Sequence, residues 1–263
     1  MSDYKALPPD QLKFAHYDTG HWPASSVDRA VYRYAAARPN HIFATAHLEG
    51  NTFTLPEVRS LLENEIPPGH REEEIQQIID LDDASTRLID RVSTGTFRLD
   101  LEESNAYNLL LSQHVVIVPG VPRYLSKVNQ DGRGAVVTLG NGDHYIGYTK
   151  DEMRQAIKWM LPRITSIDDP VERAINYAAF MSYAQVYMDG NKRTARYMMD
   201  GVLMSHGYDC VLIRASDKDA YNEALRGMFR SGNLACYADF LYAVCDRAYR
   251  KNSDNGEDLD ARN

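Results

Sequence analysis

Apolar residues recur three and four positions apart through most of the chain, the spacing of helices with one buried face. The pattern predicts helices over residues 27–36, 71–80, 83–93, 101–113, 150–161, 170–184, 192–206, 217–230 and 235–250. Local chemistry marks several of their ends. Pro39 is expected to end or restart the first run, leaving a short helix from about residue 40 to 48 that stops at Gly50. Thr54 caps another start, with Pro56 in a first turn where a missing N–H costs little. Asp169 and Pro170 open the helix over 170–184 in the same way, and Gly207 closes the one that begins near Lys192. One interval breaks the helical period. Val115–Val118 is a β-branched run, and Val136–Leu139 and His144–Gly147 flank a Gly140-Asn141-Gly142-Asp143 turn that tolerates positive φ. The chain therefore reads as mainly α with one β-hairpin. Its expected organisation is an N-terminal helical region over 1–95, a core over 96–250 and a disordered acidic tail over 251–263, where Asp254, Glu257, Asp258 and Asp260 meet almost nothing apolar.

Composition narrows the partners. A net charge of −8 argues against a dedicated duplex nucleic-acid or anionic-membrane surface, since both need cationic protein. No apolar run is long enough to span a bilayer, and the first residues lack an apolar signal core. Cys210, Cys236 and Cys245 lack metal-ligand spacing and read as reduced thiols, which fits a cytoplasmic protein. A homodimer is compatible with the sequence.

The candidate chemistry lies in residues 185–196, a polar turn running into a basic helix start. Gly190 lets the chain turn tightly, so that unpaired N–H groups of the following helix can converge on an anion. Arg193 and Arg196 stand three apart, on one face, where two guanidiniums can clamp separate phosphates. Lys192 adds charge, and Asp189 is a hard oxygen ligand suited to Mg²⁺. The pattern points to a magnesium-bound di- or triphosphate such as ATP; a solvated basic turn with its arginines paired to nearby carboxylates is the alternative. Walker A spacing is absent.

Asp189-Gly190-Asn191-Lys192-Arg193-Thr194-Ala195-Arg196 resembles the Fic (Fido) family signature, His-x-Phe-x-Asp/Glu-Gly-Asn-Gly/Lys-Arg-x-x-Arg. The resemblance implies a helical core with a β-hairpin flap and a reaction that moves AMP from ATP to a hydroxyl of a target protein. On this chain it implies that Asp189 holds Mg²⁺ and that Gly190, Asn191 and the following N–H groups form the anion hole. It also implies that Lys192 adds charge there, that Arg193 contacts the transferred or adjacent phosphates, and that Arg196 holds the γ-phosphate. The hairpin at 136–147 would be the flap, docking a target segment partly by strand addition.

Two features qualify the match. The position of the family's catalytic histidine is Gln185, and a carboxamide does not titrate. Losing a positioned base lowers a rate by roughly 10²–10⁴-fold. His206, His144 and His47 are expected in surface or packing roles. A pseudoenzyme, an enzyme of altered chemistry and an introduced change all remain open for Gln185. Tyr187 replaces the signature phenylalanine, and the lysine at 192 occurs in Doc-type members that transfer phosphate. Second, Thr45-x-x-x-Glu49-Gly50 resembles the family's inhibitory motif Ser/Thr-x-x-x-Glu-Gly/Asn, here within the helical stretch 40–50. Glu49 would pair with Arg196 and occupy the guanidinium meant for the γ-phosphate. The resemblance thus implies a self-inhibited protein adenylyltransferase, weak or inactive with Gln185. A nucleotide-binding pseudoenzyme or regulatory protein and a Doc-like phosphotransferase are the alternatives.

Overall fold

A computed structural model describes residues 2–20, 22–128 and 132–260. Two helices form its centre: α6 (Pro170–Ala184) and α7 (Asn191–Ser205). Both are buried on nearly every face, from Ala174 to Ala184 and from Arg193 to Met204, so neither shows the one-sided pattern of a surface helix. Asp169 caps α6 by accepting from the Glu172 N–H, with Pro170 in the first turn.

The remaining helices wrap this pair. Preceding it are α1 (Val27–Leu48), α2 (Leu55–Leu62), α3 (Glu72–Ser93), α4 (Leu101–Ser112) and α5 (Lys150–Thr165); following it are α8 (Lys218–Ser231) and α9 (Ala235–Asp260). α1 packs on α3 and α7, α4 on α3 and α7, and α5 and α9 on α6. A continuous hydrophobic core takes in residues from Leu12 to Tyr249. It therefore draws on both the N-terminal region and the core expected from the sequence. Among the described residues no helix is long and apolar enough to cross a membrane.

Four differences from the sequence reading have physical reasons. Pro39 lies inside one unbroken α1, and the expected 40–50 helix is the second half of that helix. The lost backbone hydrogen bond is offset by burial of Tyr34, Ile42, Ala44 and Ala46 on both sides of the proline. The runs at 71–80 and 83–93 fuse into α3, whose buried stripe from Ile78 to Leu88 continues across the junction. Val115–Val118 forms turns rather than a strand, with Val115 and Ile117 exposed. α9 continues to Asp260, through most of the stretch expected to be a disordered tail; adding residues to a helix already nucleated and packed is easy. Residues 261–263 of that expected tail lie outside the described residues.

The hairpin comprises β2 (Val136–Gly140) and β3 (Asp143–Ile146), antiparallel, with Asn141 and Gly142 both at positive φ as a two-residue turn of this kind requires. A short strand that the sequence reading did not include, β1 (Asp3–Lys5), pairs in parallel with β3. The sheet order is β1-β3-β2, so β3 is flanked on both sides and β2 is an edge. Tyr145 fixes the hairpin to the core: its hydroxyl donates to the Tyr183 carbonyl at 2.8 Å, and its ring packs on Tyr183 and Phe229.

Candidate active site

The turn between α6 and α7 carries the candidate site. Gln185 ends α6 in the left-handed region (φ 52°), and Gly190 (φ 73°) precedes the first residue of α7. A Cβ on Gly190 would stand 3.0 Å from Asn108 Nδ2, so both the backbone conformation and the close approach favour glycine. Among the described residues no side chain caps the α7 N-terminus. Its first N–H groups and the positive end of the helix dipole face the turn, the arrangement that binds anions.

Side chains lock the turn in shape. Asn191 accepts from the Tyr187 N–H at 2.7 Å and donates to the Tyr187 carbonyl at 2.9 Å. Its Nδ2 also lies 3.3 Å from Gln185 Oε1. Asn108 on α4 donates to the Asp189 carbonyl (2.9 Å) and to Thr194 Oγ1 (3.1 Å). The Tyr187 ring is buried, and its hydroxyl sits 2.9 Å from both Ser104 Oγ and Asn105 Oδ1. Gln185 donates to the Ser182 carbonyl at 2.6 Å, so the amide tethers the end of α6.

Two arginines stand beside the turn, each only 5% exposed. Arg193 donates to the Leu111 carbonyl and to Asp189 Oδ2, both at 2.9 Å. Arg196 donates from Nη1 to the Tyr221 hydroxyl at 2.5 Å and from Nη2 to Glu49 Oε1 at 3.0 Å. The Nε of each guanidinium is buried without a hydrogen-bond partner, leaving donor capacity unused in both. Asp189 is more open, its side chain 44% exposed.

Glu49 reaches this cluster from the C-cap of α1. Its own N–H bonds back to the Ala46 carbonyl, and Lys218 Nζ donates to the His47 carbonyl, fixing the end of the helix. The carboxylate contacts Arg196 and lies 4.0 Å from Lys192 Nζ. Burial pushes the Glu49 carboxyl up. The charges of Lys192, Arg196 and Arg193 and the hydrogen bond from Arg196 outweigh burial and bring it down to about 2. Burial works against the charge on Arg196, but Tyr221 and Glu49 hold its pKa above the ordinary arginine value.

The structure thus brings Gln185, Asp189, Gly190, Asn191, Lys192, Arg193 and Arg196 together with Glu49. Thr45 lies one turn before Glu49, behind Arg196, lining a space of about 10 Å³ with Leu48 and Asp200. Among the described residues no group of three or more His, Cys, Asp or Glu side chains is placed to hold a metal. Tyr221, Asn108 and the Leu111 carbonyl complete the site and were not foreseen. They come from elements remote in sequence, and nothing in their own neighbourhoods marks them.

Two clefts meet at this cluster. A small one, about 40 Å³, is lined by Glu49, Gln185 and Asp189–Arg193. A larger one, about 520 Å³, shares Glu49, Asp189 and Arg193 and extends along the start of α3. Drug-sized ligands occupy roughly 300–1,000 Å³, a range that includes the larger cleft and not the small one.

Residues 106–203 match the Fic/DOC family model. The chain is 28% identical over 217 residues to a protein adenylyltransferase Fic of Nematostella vectensis, covering 79% of this chain and 47% of that protein. A protein of the same name from Drosophila ananassae is 28% identical over 206 residues, covering 76% and 39% respectively. The chain thus spans less than half the length of either relative. Among solved structures, Fic-1 from C. elegans superposes with a TM-score of 0.67 at 18% identity, covering 89% of this chain and 71% of that one. A Fic family protein from Desulfovibrio desulfuricans gives 0.66 at 16%, covering 88% and 72%. The helical core has the fold of these Fic structures, with residues 106–203 similar to the Fic/DOC family model.

Proposed function

We propose that the chain is a self-inhibited protein adenylyltransferase that binds ATP at the α6–α7 turn and transfers AMP slowly to a hydroxyl of a target protein. One observation carries the reading. Two buried guanidiniums with unused donors stand at an uncapped helix N-terminus, and one of them is held by a carboxylate that a phosphate would replace. The relatives named protein adenylyltransferase Fic support the reaction class.

The α7 N–H groups and Arg193 bind the phosphates nearest the turn, and Arg196 takes the terminal phosphate once Glu49 leaves. Mg²⁺ fits the donor set. It is commonly held by one or two carboxylates plus substrate phosphates, and Asp189 offers an exposed carboxylate beside the anion hole. Bound there, Mg²⁺ would offset charge on the phosphates. Positioning and charge stabilisation supply most of the catalysis. A target segment adds to β2, since β1 and β2 already flank β3. The three free cysteines fit a reducing, cytoplasmic setting.

A second reading is a nucleotide-binding protein without transferase activity. It is favoured by the engagement of the Gln185 amide with Ser182 and Asn191. ATP labelled at the α- or the γ-phosphate separates these readings when offered to this chain, to Gln185→His, and to Gln185→His with Glu49→Gly. The double variant is expected to pass α-label to protein. Passage of γ-label alone would indicate phosphate transfer, and no label from either position would leave only the binding role.

A further inference from the structure

The larger cleft is lined, besides Asp189 and Arg193 of the anion-binding turn, by a histidine that no part of the signature includes. His114 follows the end of α4, with its side chain 48% exposed. Its Nδ1 lies 2.9 and 3.2 Å from the two carboxylate oxygens of Asp80 on α3. Asp80 is buried, and Oδ1 also accepts from Gln76 at 3.0 Å and Gln113 at 3.4 Å. An ionised carboxylate only accepts, so Nδ1 carries the hydrogen, and in the neutral ring Nε2 is then the nitrogen with the lone pair. Among the described residues Nε2 makes no hydrogen bond. A buried, multiply anchored carboxylate thus orients an exposed imidazole whose basic nitrogen is available, the arrangement that serves proton transfer in acyl-transfer triads.

The cleft also favours one occupant over another. His114 lines it together with Asp189 and Arg193, the two residues through which it joins the anion-binding turn. Its other charged walls are mostly carboxylates: Glu49, Glu73, Glu74 and Asp80, against Arg71. Arg71 is itself paired with Glu74 at 3.2 Å. Such walls repel a polyphosphate and accept a neutral or cationic group. The nucleotide therefore belongs on the turn side, and the cleft is open to a hydroxyl-bearing side chain.

We propose that the Asp80–His114 pair supplies the general base that Gln185 cannot, deprotonating a target hydroxyl that enters through this cleft. The proposal rests on the adenylyltransferase reading. The hydroxyl oxygen forms a bond to the α-phosphorus of ATP, and the bond from that phosphorus to the bridging oxygen breaks. Pyrophosphate leaves with the electron pair, and the hydroxyl proton passes to His114 Nε2. Asp80 is a positioning residue: it holds the tautomer and offsets the charge formed on the ring.

The test uses the full chain with the brake removed, Glu49→Gly, and measures passage of α-labelled AMP from ATP to lysate protein and to itself. This variant is expected to transfer with Gln185 still present. Adding His114→Gln should lower the rate by about 100-fold or more while leaving ATP affinity by calorimetry unchanged. Adding Asp80→Asn should lower it in the same direction. Gln185→His in the His114→Gln background should restore transfer, which also shows that the His114 variant folds. Equal transfer with and without His114 overturns the proposal and leaves the enzyme reading intact. So does silence of Glu49→Gly when Gln185→His with Glu49→Gly is active. Silence of every variant overturns the adenylyltransferase reading and the proposal with it.

Discussion

Replacing Glu49 is the most direct probe of the site. In the folded chain its carboxyl titrates at about 2 instead of 4.5. That difference corresponds to about 3 kcal/mol of favourable interaction with the surrounding cations. A triphosphate that takes Arg196 and Lys192 must displace the carboxylate and forfeit most of it. Glu49→Gly should therefore tighten Mg²⁺–ATP binding by up to about two orders of magnitude. Glu49→Gln, which keeps a hydrogen-bond acceptor but not the charge, should fall between. Both partners are largely buried, at 6% and 18% side-chain exposure, so the gain should persist at moderate salt. Isothermal titration calorimetry reads the affinities, and Arg196→Ala closes a double-mutant cycle. A change under threefold with Glu49→Gly, or an undiminished gain in the Arg196→Ala background, would refute the idea that Glu49 withholds Arg196 from the nucleotide.

The same contact predicts a pH dependence. The folded pKa is depressed, so the stability Glu49 contributes is fully present above about pH 4.5 and is lost as pH falls through about 2. Urea unfolding of this chain and of Glu49→Gln should differ by a constant amount from pH 7 to 5 and converge below pH 4. Tyr187→Phe restores the signature residue but removes the hydroxyl's contacts with Ser104 and Asn105; it should destabilise by about 1–2 kcal/mol in urea with ATP affinity unchanged. Gly207→Ala places a Cβ 1.8 Å from the Ser25 carbonyl oxygen at φ 78°, so thermal and urea unfolding should report a loss of about 3 kcal/mol. Gln185→Ala deletes the amide's contacts with Ser182 and Asn191 and should cost about 1 kcal/mol of stability in urea unfolding.

The parts legible in the sequence are those set by local chemistry. Asp169 and Pro170 start α6 where the sequence reading began it, and Asn141-Gly142 places the hairpin turn. Pro39 was misleading because its local preference is overridden by contacts with α3 that no window of sequence contains. Val115–Val118 has the β-branched composition of a strand, but among the described residues no neighbouring strand offers it a ladder. The site divides in the same way. Gly190, Arg193 and Arg196 are contiguous enough to read as one constellation. Asn108, Tyr221 and the Asp80–His114 pair reach it from three other helices and a turn, and only the packing reveals them.

Glu49 and Gln185 act on different steps, which makes their effects separable. Glu49 contacts the guanidinium of Arg196, so on the proposed function its removal should change how tightly the nucleotide binds. Gln185 lies at the end of α6, with its amide committed to Ser182 and Asn191, so its identity bears on proton removal and on the shape of the turn. Substitution at 49 should therefore move KM for ATP, whereas Gln185→His should move kcat. The contact between Glu49 and Arg196 is present although position 185 carries a carboxamide, which does not titrate. An intact brake is unnecessary on a protein with nothing left to restrain. On the proposed function that consideration favours recent loss of the base or an introduced change at 185, and the imidazole of His114, held by Asp80 in the lining of the larger cleft, is the group to test for residual turnover.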